Sequence, residues 1–275
     1  MNIFRLDFFN LRKGLFTWMI IVGLNLIFFM VFYPSMNTPA MQEAYKLEMA
    51  AMPQEVLDML GMDQMPDFTN IVEYFAYTMQ YIALAGGIYA ALLGSNSLIR
   101  EESSGTIEFL YAQPITRTQI VFYKMCSAVC AFLLYIASIV VSSLLMILLL
   151  RPSGTDPAAL TRDTLEIVAG MAFSGLVFMS IGFFLSSIMK SAQQATPAAI
   201  GVVFGTYIMG MFAKAFEDNI PGIGKLVYLS PLDYAVPNQI YSVGFELPYI
   251  MIGCILIVLT VSATFWIYRK KDLMS

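Results

Sequence analysis

The chain has 275 residues, 59% of them hydrophobic and only 12% charged, with a formal net charge of −4. A soluble domain carries about 25% charged residues, so these side chains cannot cover an ordinary aqueous surface. Histidine is absent, which removes the commonest general base and metal ligand, and the acidic balance does not point to a nucleic-acid partner.

Residues 2–13, "NIFRLDFFNLRK", place Phe4, Phe8, Leu11 and Leu15 at helical spacing, with Arg5 and Arg12 on another face. That pattern predicts an amphipathic helix lying in the membrane interface. Long apolar runs follow at about 15–33, 76–99, 125–150, 167–189, 195–213 and 248–268. Each is near the ~20 residues needed to cross the hydrocarbon as a helix, and none holds Lys, Arg, Asp or Glu in its central part. A helix satisfies its own backbone in lipid. The short alternating segments of a β-barrel are missing. The expected fold is therefore all-α, a polytopic membrane protein with six transmembrane helices in a single domain over 1–275. The first apolar run is too long for a signal peptide, and no small-residue cleavage site follows "FFMVFYPSMN", so it is expected to stay as an anchor.

Residues 34–75 form the largest loop. "PQEVLDMLGM" predicts a short helix with Pro53 in its first turn and Gly61 as its stop. Met41, Met49, Met52, Met59, Met62 and Met65 crowd the segment. Thioethers alone can hold copper, but no His or Cys joins them, and an apolar face packed on the membrane or a neighbour is the simpler reading. In span two, Gln80, Ala83, Gly87, Ala90, Gly94 and Ser97 recur at alternating spacings of 3 and 4. One face of this helix is almost free of bulk, which suits either close helix packing or the wall of a pathway. Span five repeats the theme with Ala198, Gly201 and Gly205. Cys126, Cys130 and Cys254 lie in apolar runs; an odd number there argues against a disulfide framework. Residues 214–247 include "SPLDYAVPNQIYSVG", a semi-apolar, proline-broken stretch of the kind that dips back into a leaflet where protein shields it.

Orientation follows from Lys and Arg. With the N-terminus inside, the cytoplasmic bases are Arg5, Arg12, Lys13, Arg100, Arg117, Lys124, Lys190, Arg269, Lys270 and Lys271. Only Lys46, Arg151, Arg162, Lys214 and Lys225 remain outside. Both termini and residues 100–124 are thus expected in the cytoplasm of a cell-membrane protein, with 34–75 and 214–247 outside.

Catalytic readings fail on residue type. "NIPGIGKL" mimics a phosphate loop, but Asn219 and Leu226 stand where Gly and Ser or Thr are required. Glu101-Glu102 suggests a membrane protease of the E-E-x-x-x-R kind, but position 106 is Thr106 and there is no histidine. Ion-coupled carriers commonly bury charged relays in the membrane, and none lies mid-span here. The chain is not expected to be an enzyme or to bind a cofactor of its own.

Charge gathers instead at 100–124, "REESSGTIEFLYAQPITRTQIVFYK". This stretch resembles the cytoplasmic loop of type-2 ATP-binding-cassette (ABC) transporter permeases on Glu101, Gly105, Thr106, Glu108, Leu110, Pro114, Arg117 and Lys124. The layout of the whole chain is similar too. The resemblance implies a permease that pairs with a second permease and binds two cytoplasmic ATPase subunits, which would carry the ATP and Mg. In that family the loop forms a short coupling helix seated on the ATPase. The residues agree: a Ser/Gly start, Phe109 and Leu110 as an apolar knob, Glu101, Glu102 and Glu108 as a charged rim, and Pro114 disfavouring helix at Gln113. Arg100 and Lys124 would hold its ends at the headgroups. The resemblance also puts spans two and five beside the pathway. An aromatic-rich, neutral pathway suits an amphiphile: a peptide, a lipid or a drug. The alternatives are a membrane sensor or immunity protein that does not transport, and an ion-coupled exporter acting alone.

Overall fold

The computed structural model describes residues 3–53, 56, 67, 68, 70–100, 115–189, 191–217 and 219–270. Among these the chain is helical throughout, with six helices long and apolar enough to cross a membrane. Span one is a bent N-terminal helix, Ile3–Val31, continued after Phe32 by the single turn Tyr33–Met36. Spans two to six are Ile71–Ser95, Arg117–Leu150, Pro157–Ile188, Ala192–Ala215 and Leu247–Lys270.

Several helices begin well before their apolar runs, because capping residues set the start while hydropathy marks only the part in lipid. The Asn70 side chain accepts from the Val72 N–H at 2.9 Å. Thr116 and Gln119 form a reciprocal capping box. Asp156 accepts from the Ala158 N–H, with Pro157 in the first turn. Span three, at 34 residues, is about 50 Å long and so outreaches the ~30 Å hydrocarbon core. The predicted amphipathic stretch at the N-terminus is continuous with span one. Leu15 on it is buried, Phe8 and Leu11 pack on the core, and Arg5 and Arg12 are exposed. The Arg12 guanidinium lies over the Phe9 ring at 3.5 Å.

Spans two and four form the centre of the bundle and pack on each other most extensively. Phe75, Met79, Ile82, Val177, Phe178 and Phe183 are all buried there. Span one packs on span three, and span six on span four. Spans one, five and six keep broad apolar faces exposed, among them Phe16, Ile20, Leu24, Phe204, Ile208, Ile255 and Leu259. In lipid those faces cost nothing, since the surrounding tails are equally apolar.

A helix over Pro39–Ala50 was not legible as an apolar run. Its signal is Thr38-Pro39: the Thr38 hydroxyl accepts from the Met41 N–H, and Pro39 opens the first turn. The predicted helix around Pro53 to Gly61 falls almost wholly outside the described residues, as do Met59, Met62 and Met65. Met41 and Met52 are exposed.

Candidate functional site

At the end of the bundle that carries loop 100–124, spans one to four are tied together by buried polar groups. Lys124 is 1% exposed; its Nζ donates to the Ser97 carbonyl at 2.6 Å and lies 3.9 Å from Asp7 Oδ1. A buried ammonium is tolerated only when paired and hydrogen-bonded, and Ser97 and Asp7 both serve it. The Lys124 side chain is therefore turned into the bundle, contrary to the expectation that it would hold the loop's end at the headgroups. Its position at the eighth residue of span three turns it inward, towards spans one and two. Next to it the Ser186 hydroxyl of span four accepts from the N–H groups of Leu98 and Ile99, at 2.9 and 3.1 Å. Ser127 Oγ donates to the Phe4 carbonyl. The chain just before loop 101–114 is thus held by spans three and four at once, and the chain just after it enters a capped helix.

Of the residues assigned to coupling, Glu101, Glu102, Gly105, Thr106, Glu108, Phe109, Leu110 and Pro114 lie outside the described residues. Arg117 is half-buried in the first turn of span three. Arg100 is exposed.

The two small-residue faces have different surroundings. In span two, Ala83 and Ala90 are buried and Gln80 is half-buried. A Cβ on Gly94 would land on the Met179 carbonyl and the Phe183 N–H of span four. Reciprocally, a Cβ on Gly182 would land on the Ala91 carbonyl. The two backbones touch there because both residues are glycine. Gly87 sits more loosely, with a Cβ meeting the Phe178 ring at 3.1 Å. In span five, Gly201 and Gly205 have open space beside them and share an exposed face with Phe204, Ile208 and Phe212.

At the opposite end, residues 214–247 fold into two 3-10 turns, Ile223–Leu229 and Pro231–Ala235, and the short helix Pro237–Val243. Pro231, Tyr234, Ala235, Pro237 and Ile240 are buried against spans two, four and five. Polar ties hold the segment. Lys214 of span five pairs with Asp233 at 2.8 Å, Ser174 of span four donates to the Pro231 carbonyl, and Asn70 donates to Tyr241 Oη. Tyr234 Oη donates to the Tyr228 carbonyl; burial, with Asp233 beside it, pushes this phenol up to about 12. None of these pairings could be read from sequence spacing.

The model of the family described as ABC-2 family transporter protein matches residues 1–273. The chain belongs to that family. This ABC-2 protein is also similar to YdbK, described as an uncharacterized membrane protein, from Bacillus subtilis strain 168: they are 21% identical over 209 residues, covering 74% of this chain and 83% of that protein. Family membership and six apolar helices together make it a multi-pass membrane permease component. Such components are transport elements and generally not catalytic.

Proposed function

We propose that this ABC-2 protein is the membrane-spanning half of an ABC exporter of an amphiphilic substrate, driven by ATP hydrolysed in separate cytoplasmic subunits. The observation that carries the reading is the family match over residues 1–273, and the loop at 100–124 supports it. Its flanks are held by Lys124, Ser97 and Ser186, so a push on the loop would be delivered to spans one to four together. Two ATPase subunits would dock, one on the loop of each permease. The second permease would approach the apolar face of span five around Gly201 and Gly205, whose exposure suits a helix-to-helix contact. Ten bases against five put both termini and the loop in the cytoplasm of a cell-membrane protein. The outer ends of spans two, four and five, shielded by residues 223–243, would close the pathway outside.

The test is co-purification with ABC ATPase subunits of the same cell, followed by reconstitution and measurement of ATP hydrolysis with candidate peptides, lipids and drugs. A stable complex whose hydrolysis is stimulated by one of these classes supports the reading. Failure to bind any ABC ATPase sinks it.

A further inference from the structure

A cavity of about 510 Å³ opens at the loop end of the bundle, between the start of span one, the end of span two and the first residue of span five. Its walls are layered. Lys13, Arg100, Asn10 and Asn96 supply the polar part, and Trp18, Tyr89 and Leu92 the apolar part. No Asp or Glu is found among the described lining residues. The walls are held in place. Asn96 donates to the Leu92 carbonyl and accepts from Thr196 of span five at 3.2 Å, and the Trp18 and Tyr89 rings are 5.2 Å apart. Ala192 opens span five at the same cavity, which places the positive end of that helix dipole near the two cations.

We infer that this cavity holds an anionic phospholipid from the leaflet at that end, its phosphate between Lys13 and Arg100 and the upper part of its acyl chains on Trp18 and Leu92. Two cations and two amides match a phosphodiester, and basic pockets between membrane helices are suited to anionic headgroups. The apolar layer decides for a lipid over a free anion, because a soluble phosphate would leave Trp18 and Leu92 facing water. Tryptophan and tyrosine also favour headgroup depth. Arg100 is the last described residue before 101–114, so the bound phosphate would fix the point where the coupling loop leaves the bundle. The lipid site does not depend on the transport reading.

The protein contains two tryptophans, and Trp266 is exposed on span six. In a Trp266→Phe background, fluorescence therefore reports Trp18 alone. The protein is reconstituted in phosphatidylcholine vesicles containing equal mole fractions of either phosphatidylglycerol or phosphatidylcholine with brominated acyl chains. Brominated phosphatidylglycerol should quench Trp18 several-fold more effectively than its phosphatidylcholine counterpart. Lys13→Gln with Arg100→Gln should bring the ratio close to one; both side chains are exposed, so folding, followed by size-exclusion elution, should be unaffected. Arg5→Gln with Arg12→Gln, which removes two cations outside the cavity, should keep the preference. Equal quenching by the two lipids in the parent protein overturns the site, as does a preference that survives loss of Lys13 and Arg100. A preference lost equally in the Arg5 and Arg12 variant would reduce it to general surface charge, and one abolished by millimolar inorganic phosphate would move it to a soluble anion. Either result removes the lipid assignment.

Discussion

Lys124 carries a formal charge in a place with almost no access to water. Removing one member of a buried charged pair typically costs about 3–5 kcal/mol, because the other is left desolvated. Lys124→Met should therefore lower the thermal midpoint in detergent strongly, and adding Asp7→Asn should restore part of the loss. A single variant as stable as the parent would mean that the pair contributes nothing. Glycine is demanded at Gly94 for a different reason. Its missing Cβ is where span four's backbone passes, and backbone cannot swing aside as a ring can. Overpacking of this kind costs about 1–3 kcal/mol or more, so Gly94→Ala should cut folded yield, while Gly87→Ala, which meets the Phe178 ring, should be milder. Gly201→Leu and Gly205→Leu should leave the yield unchanged, since among the described residues a Cβ on either meets nothing within 4 Å beyond its own helix. Fluorescence-detected size exclusion of the four variants checks the order.

Among the elements, the loop between spans two and three is where coupling is expected. The centre of an interface usually carries more binding energy than its rim, with hot spots of about 2 kcal/mol or more on truncation. Exposed charge contacts are worth only ~0–1 kcal/mol. Phe109→Ala should thus weaken capture of the ATPase more than Glu102→Ala does, and Glu108→Lys should weaken it beyond truncation if the facing surface is basic. Substrate-stimulated ATP hydrolysis in reconstituted membranes should fall in step, although the protein still inserts. Pull-down unchanged in both Phe109→Ala and Glu108→Lys would remove this loop from the coupling path. The two small-residue faces show how far an element can be read alone. The spacing of Gly87, Ala90 and Gly94 announces a face without bulk. It does not say whether a neighbour fills it, and in span two span four does, whereas in span five Gly201 and Gly205 stay open among the described residues.

For the molecule as a whole, orientation rests on where the bases lie. Ten sit at the ends assigned to the cytoplasm and five at the others, and the positive-inside bias acts on such short connections. In a cysteine-free background, Ser104→Cys should resist an impermeant thiol reagent added to intact cells, and Gln54→Cys should react with it. Labelling of position 104 from outside would invert the topology and place the loop beyond the reach of any ATPase.

The amino-acid sequence by itself determined the number and identity of the spans. Hydropathy is a local property, and a helix in lipid must satisfy its backbone within itself. The stretch at 101–117 that carries the resemblance to the permease loop could be read for the same reason, being contiguous. Helix starts were only half legible, because the N-caps Asn70, Thr116 and Asp156 begin the helices outside the apolar runs that mark them. Tertiary structure decided which faces touch. Lys124 reads as one more cytoplasmic base until the fold brings Asp7, 117 positions earlier in the chain, and the Ser97 carbonyl to it. Lys13 and Arg100 likewise become neighbours of one cavity only once spans one, two and five are assembled. Such pairings depend on how helices rotate and cross, and in a membrane that is settled by packing and hydrogen bonds between spans rather than by hydropathy, which every span satisfies equally well.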